Sequence, residues 1–266
     1  MASEVDITEH RNHIQESFLR FLSHFPLRIS KSLYKNPDID DPILYIWGPG
    51  WEGSQQKASF DQECLQWQTF LLFNKIDFKV KNVNEPLISP SGKLPLLYTS
   101  PGDIFTSDKI PEFIKNKQRP EDDTEASTPD PETPFICLAD TKLRNALLFY
   151  LWCEPANYEK VTFHKYGGHY PKPLDTILMY KARKAVIGDL LTRKPILNAN
   201  EIYEEADEAL KAFSVELEDS KYFFGSRSSP KLIDAVVFSY IYTILSIPVT
   251  SSDKELHELV HKYKNL

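Results

Sequence analysis

Cysteine is scarce, positive charge is outweighed and no apolar run is long, and each shortage removes a class of protein. The three cysteines of the 266 residues, Cys64, Cys137 and Cys153, form no Cys-x-x-Cys pair and cannot all join in disulfides. No Asn-x-Ser/Thr acceptor occurs either. Both absences fit a reducing compartment rather than a disulfide-stapled secreted scaffold. Lysine and arginine (31) are outnumbered by aspartate and glutamate (38), a formal charge of -7. The basic face that a nucleic-acid backbone demands is missing, so no nucleic-acid partner is expected. Glu4, Asp6 and Glu9 precede any apolar cluster. That opening excludes a secretory signal and an acid-poor transit peptide and places the expected mature start near Met1. The most apolar run, residues 232–247, falls short of the roughly 20 residues a bilayer requires. It also carries Asp234, Ser239, Thr243 and Ser246, so it predicts a buried core helix in a protein that is soluble or at most peripheral.

What is present is globular: 41% hydrophobic and 26% charged residues, in a chain long enough for two modest domains. Residues 8–25 space Ile14, Phe18, Leu22 and Phe25 as an amphipathic helix, part of an N-terminal arm over residues 1–41. As an arm it packs on its own domain; as a contact it would meet a partner or a membrane surface. Residues 42–47, PILYIW, read as a buried strand, residues 60–74 as a helix with Cys64, Trp67 and Leu71 inward, and residues 76–83 as a second strand. Strand, helix, strand opens a parallel crossover unit. A turn at Ser91-Gly92 then leads into a strand that starts at Pro95, where a proline costs no ladder bond. Residues 103–115 predict a short helix capped by Thr106 or Ser107, which closes a domain at residues 42–115.

Residues 116–134 are acidic and proline-rich with little to bury, and predict a linker. From residue 135 to 266 the pattern is helical throughout, with no internal repeat. Ala139, Leu143, Ala146, Leu147, Tyr150 and Leu151 share one face, and further helices fall near residues 174–192, 200–217 and 252–263. Asp234 sits in the first turn of the core helix, where a carboxylate accepts from unpaired backbone amides.

A small α/β domain with a proline-led strand, a linker and an all-helical domain is similar in layout to the glutathione-transferase fold. The implied architecture is an N-terminal thioredoxin-like domain followed by a C-terminal helical domain. Within that fold, Ser89-Pro90-Ser91-Gly92-Lys93-Leu94-Pro95 resembles the SPSGKLP turn of metaxins. Tyr222-Phe223-Phe224-Gly225, followed by Leu232-Ile233-Asp234-Ala235-Val236-Val237-Phe238-Ser239-Tyr240, resembles their core-helix segment. Phe25-Pro26-Leu27 and the WGPGWEGS stretch from Trp47 to Ser54 look like fungal members. The resemblance implies a non-enzymatic subunit of the mitochondrial outer-membrane sorting and assembly machinery, which inserts β-barrel proteins. Its implied partners are a barrel-shaped core subunit, a second metaxin-type subunit and the sorting signal of β-barrel precursors. The chain ends just past its last helix and so looks like the tailless kind, peripheral on the cytosolic face. No cofactor is implied. One departure stands out: Lys231 occupies the place three residues before the core-helix acid where transferases of this fold commonly carry Ser or Thr.

The residues that could carry chemistry have plainer readings beside them. A glutathione transferase needs a hydroxyl or thiol after the first strand to stabilise a thiolate; Ser54 is the only candidate. An active transferase, or a cytosolic scaffold of the same fold, is the alternative function. His257-Glu258-Leu259-Val260-His261 matches the HExxH zinc motif, but no third ligand can follow within the few remaining residues, and a solvated terminal helix explains it. His164 and His169 flank Tyr166-Gly167-Gly168 and read as an exposed inter-helix turn rather than a metal or phosphate loop. Cys64 and Cys153 read as core thiols. Lys181, Arg183 and Lys184, with Arg193 and Lys194 beyond, form a basic stretch. It is either an ordinary solvated face or a surface contact for anionic headgroups or an acidic partner.

Overall fold

The period-2 pattern of ILYI buries alternate residues, and in the computed structural model Ile43–Ile46 forms strand β1 with Leu44 and Ile46 inward. The structure describes residues 41–48, 58–100, 102–118, 131–225, 229–248 and 255–266. They belong to one compact unit covering residues 39–266. The expected helix at residues 8–25, nearly all of the arm, Ser54 and most of the linker stretch lie outside the described residues.

Helix α1, Gln62–Phe73, follows β1. It starts at Asp61, whose carboxylate accepts from the Cys64 amide at 3.0 Å, so one orphan donor of the first turn is satisfied. Strand β2, Lys79–Asn82, pairs parallel with β1. This is the expected crossover unit, and the exposed Lys79 and Lys81 on β2 guard the sheet edge it forms. Strand β3, Leu96–Thr99, runs antiparallel to β1 and opens directly after the cis Leu94–Pro95 peptide. Gly92, in the turn before it, has φ +67 and donates to the Ser89 carbonyl at 2.9 Å. A residue with a Cβ is strained in that conformation, which is why glycine occupies it.

Residues 103–106 depart from expectation. Asp103–Thr106 is strand β4, antiparallel to β3, and helix α2 begins only at Ile110 and runs to Gln118. Gly102, at φ +122, makes the reversal and donates to the Thr99 carbonyl at 2.8 Å. Four residues are too few for a helical and a strand period to be told apart. The sheet order is β2-β1-β3-β4.

The helical layer opens at Glu132, so helices occupy both ends of the proline-rich stretch. Helix α3 covers residues 132–153, its α-helical parts Glu132–Leu138 and Arg144–Leu148 alternating with wider turns at Ala139–Leu143 and Phe149–Cys153. The predicted face of Ala139, Leu143, Ala146, Leu147, Tyr150 and Leu151 is buried. Helix α4, residues 155–167, starts with Pro155 in its first turn, where a missing N–H costs nothing. Helices α5 (Leu174–Arg193), α6 (Ala199–Leu217), α7 (Leu232–Ser246) and α8 (Glu255–Lys262) complete the described chain.

Helix α7 is the core of this layer, with Ile233, Ala235, Val236, Tyr240 and Ile244 almost fully enclosed. Of its polar residues Ser239 is absorbed: its hydroxyl donates to the Val236 carbonyl at 2.7 Å and accepts from Gln62 of α1 at 2.9 Å. It is not enclosed on every side, since Phe238, Tyr242 and Leu245 keep one stripe exposed. Each layer has its own hydrophobic core, and Leu232 touches both.

Candidate functional site

Where the first turns of α1 and the β4–α2 turn face α3, α5 and α7, an open cleft of about 480 Å³ remains. Gln62, Glu63, Lys93, Ser107 and Asp108 line its sheet side, and Asp140, Arg144, Asp189, Arg193 and Tyr240 its helical side. Ser107 does not cap a helix as expected. It lies in the turn three residues ahead of Ile110, and its side chain bonds the Glu63 carboxylate. Thr106, the other expected cap, bonds Asp108.

The wall is cross-braced by polar pairs. Arg144 donates to Asp189 at 2.9 Å, and the Tyr240 hydroxyl donates to Asp140 at 3.3 Å. Burial raises the pKa of Glu63 and the Ser107 bond opposes that rise, as do the charges of Lys93 and Arg144. Burial also raises Asp140, against the bond from Tyr240. These carboxyls therefore hold their protons more tightly than free side chains do. Such a cleft can hydrogen-bond and ion-pair with a polar ligand, but its lining includes neither a cysteine nor a histidine. Cys64, on α1 behind the cleft, is fully buried and its thiol is pushed well up by burial, so it is the inert core thiol expected.

The other predicted residues are not gathered at this cleft. Asp234 accepts from the Lys231 amide at 2.7 Å and the Phe223 amide at 2.9 Å. Burial raises its pKa, and those two bonds pull against the rise. The hydroxyl missing at Lys231 is replaced from a distance: Glu132 accepts from the Ile233 amide at 3.3 Å and ion-pairs with the Lys231 ammonium at 3.2 Å. Gly92 and Pro95 shape the approach to β3, next to Lys93 of the cleft.

The basic stretch needs dividing. Arg183 is not a surface contact, because its guanidinium donates to the Trp152 and Cys153 carbonyls at 2.8 and 3.2 Å and lies 4.0 Å from the centre of the Tyr158 ring. Lys194 pairs with Glu201 and Glu205, and Arg193 lines the cleft. Lys181 and Lys184 remain exposed.

Of the histidines in the two motifs only His257 serves packing. His257 is buried, facing the Tyr150 hydroxyl at 3.3 Å and the Ile247 carbonyl at 3.0 Å, whereas His261 is exposed. The expectation of a wholly solvated terminal helix is therefore corrected at His257. Among the described residues no cluster could hold a metal ion. The stretch around Tyr166 is mostly helical rather than a turn, and a Cβ on Gly167 would come within 2.4 Å of Met179 on α5.

Sequence reasoning missed two residues that join the layers. Tyr166 donates to Asp61 at 2.9 Å and packs edge-on to Trp47 and Phe60. Asp61 thus serves as the α1 cap and as the acceptor for the helical layer, in a site whose burial raises its pKa. An aspartate directly before an apolar-periodic run was the available signal for its capping role; nothing local announced Tyr166.

Among the described residues no helix is long and apolar enough to cross a membrane. Residues 64–183 match the family described as outer mitochondrial membrane transport complex protein, and residues 206–266 match the glutathione S-transferase C-terminal domain. In structure the chain is similar to a glutathione S-transferase of Ceriporiopsis subvermispora, solved with glutathione, at a TM-score of 0.54 and 13% identity over 85% of this chain and 94% of that one. It is also similar to a glutathione transferase from Phanerochaete chrysosporium at a TM-score of 0.51 and 12% identity, over 85% of this chain and 97% of the other. These likenesses show the glutathione-transferase fold. Human metaxin-1 and metaxin-2 are both 30% identical to the chain; the match with metaxin-2 covers 81% of each, and that with metaxin-1 covers 80% of this chain and 47% of metaxin-1. Mouse metaxin-2 is 31% identical over 80% of this chain and 81% of its own length. On that likeness, reaching across both layers of the fold, the chain belongs to the metaxin family.

Proposed function

We infer that the chain is a non-catalytic subunit of the sorting and assembly machinery in the mitochondrial outer membrane, recognising β-barrel precursors and helping to insert them. In this reading it sits peripherally on the cytosolic face, held by a barrel-shaped core subunit and a second metaxin-type subunit, and engages the precursor's sorting signal. The observation that carries the reading is the 30% identity to metaxin-2 over four-fifths of the chain. Recognition of this kind needs surface complementarity and no bond chemistry. Strand β4 ends the sheet order, and its Ile104 is exposed, which suits pairing with an extended precursor segment.

The cleft supports the non-catalytic part. Ser107, the hydroxyl best placed for the glutamyl end of glutathione, is engaged by Glu63. Glu63, Asp108, Asp140 and Asp189 set four carboxylates against the cations Lys93, Arg144 and Arg193, a poor balance for an anionic peptide. A second reading, an active glutathione transferase, draws on the shared fold and the open cleft.

Isolation of the tagged full chain from mitochondria separates the two. The first reading expects a barrel-shaped outer-membrane protein and another metaxin in the eluate. Their absence, with retention on immobilised glutathione and conjugation of a standard electrophile that disappears in Ser54→Ala, would establish the second instead.

A further inference from the structure

Helix α5 stands apart from its neighbours in how little of it is covered. Of its 20 residues only Asp175, Met179 and Leu190 are buried. At 100° per residue, Leu174, Ile177, Tyr180, Lys181, Lys184 and Leu191 fall within an arc of about 120°, extending about 25 Å along the helix. All six are exposed, Tyr180 at 67% and Ile177 at 50%. No carboxylate lies on this arc. Asp189, the nearest, is turned to Arg144 at 2.9 Å, and Asp175 is buried. Arg183 lies off the arc and turns inward, to the Trp152 and Cys153 carbonyls. In a chain of formal charge -7 this face is locally basic and apolar at once.

We propose that this face of α5 lies on an anionic lipid surface, with Leu174, Ile177, Tyr180 and Leu191 entering the interface and Lys181 and Lys184 meeting lipid phosphates. Lysines interleaved with apolar side chains suit that occupant: their stems cover apolar area while the ammonium groups reach back to the headgroups. A protein partner fits less well, because the cores of protein interfaces are depleted of lysine. The inference rests on the family's place at the outer mitochondrial membrane, and it supplies a contact with that membrane which needs no spanning helix.

The test is flotation of the purified full chain with vesicles of phosphatidylcholine alone and of phosphatidylcholine containing phosphatidylinositol. The chain is expected to float with the anionic vesicles and far less with the neutral ones. Ile177→Ser with Tyr180→Ser should reduce recovery on both, and Lys181→Glu with Lys184→Glu should cut partitioning to the anionic vesicles by about tenfold or more. All four positions are exposed, so both variants should melt with the parent, which separates lost binding from lost folding. The proposal is overturned if the parent floats with neither vesicle or if both variants float as it does. It is also overturned if the Ile177, Tyr180 variant floats normally but loses a protein partner in mitochondria, which would make the face a protein interface. If flotation fails while the tagged chain still co-isolates with an outer-membrane barrel, this inference falls and the assembly function stands.

Discussion

Asp234 and Glu132 share the start of helix α7. A cap normally comes from the residue just before a helix; here Lys231 has no acceptor in its side chain. Asp234 reaches back to the Lys231 and Phe223 amides, and Glu132, from another helix, takes the Ile233 amide. Asp234 was legible in the sequence as an acid in the first turn of an apolar run. Glu132 was not, because its partner lies 101 residues away and no local pattern couples them. Asp234→Ala leaves two amides without their acceptor and should cost about 2–4 kcal/mol, lowering Tm by roughly 5–10 °C. Asp234→Asn should recover part of that loss, since one side-chain oxygen remains. Thermal melts check both, and an unchanged Tm in Asp234→Ala would remove the residue from the capping role.

At the scale of elements, the long helices were legible because each repeats its apolar face for several turns, as residues 139–151 and 202–217 do. Strand β4 was not, because four residues carry no decisive period and its place is set by pairing with β3. Arg183 was misread for a related reason. A run of basic residues looks uniformly solvated, but helical spacing turns Arg183 inward and Lys181 and Lys184 outward. The last helix shows the same limit. His257 docks α8 by holding the Ile247 carbonyl and the Tyr150 hydroxyl. Burial lowers its pKa below 6.5, with the bond to Ile247 opposing. The native state therefore takes up this proton less readily than the unfolded chain. The stability His257 contributes is complete above about pH 6.5 and is lost as the pH falls below that value toward the depressed folded pKa. Tm should drop between about pH 7.5 and about pH 5. His257→Gln should melt lower at the upper pH but respond less to acid, and an equal response in both proteins would show that another group dominates.

At the scale of the molecule, the sequence motifs carried the family and the fold, while the packing between the layers came only with the structure. The SPSGKLP turn and the core helix are local strings, readable as they stand. The cleft, the Tyr166–Asp61 bond and the uncovered face of α5 arise where distant segments meet or fail to meet. The braced, carboxylate-rich wall of the cleft suits the proposed binding role. The proposed role of the chain is in β-barrel insertion. The most direct measurement follows a radiolabelled β-barrel precursor and a helix-anchored outer-membrane protein into mitochondria depleted of this chain. Barrel assembly should be severalfold slower and restored by adding the full chain back, with the helix-anchored protein unaffected. Equal barrel assembly in depleted and complete mitochondria would contradict that role.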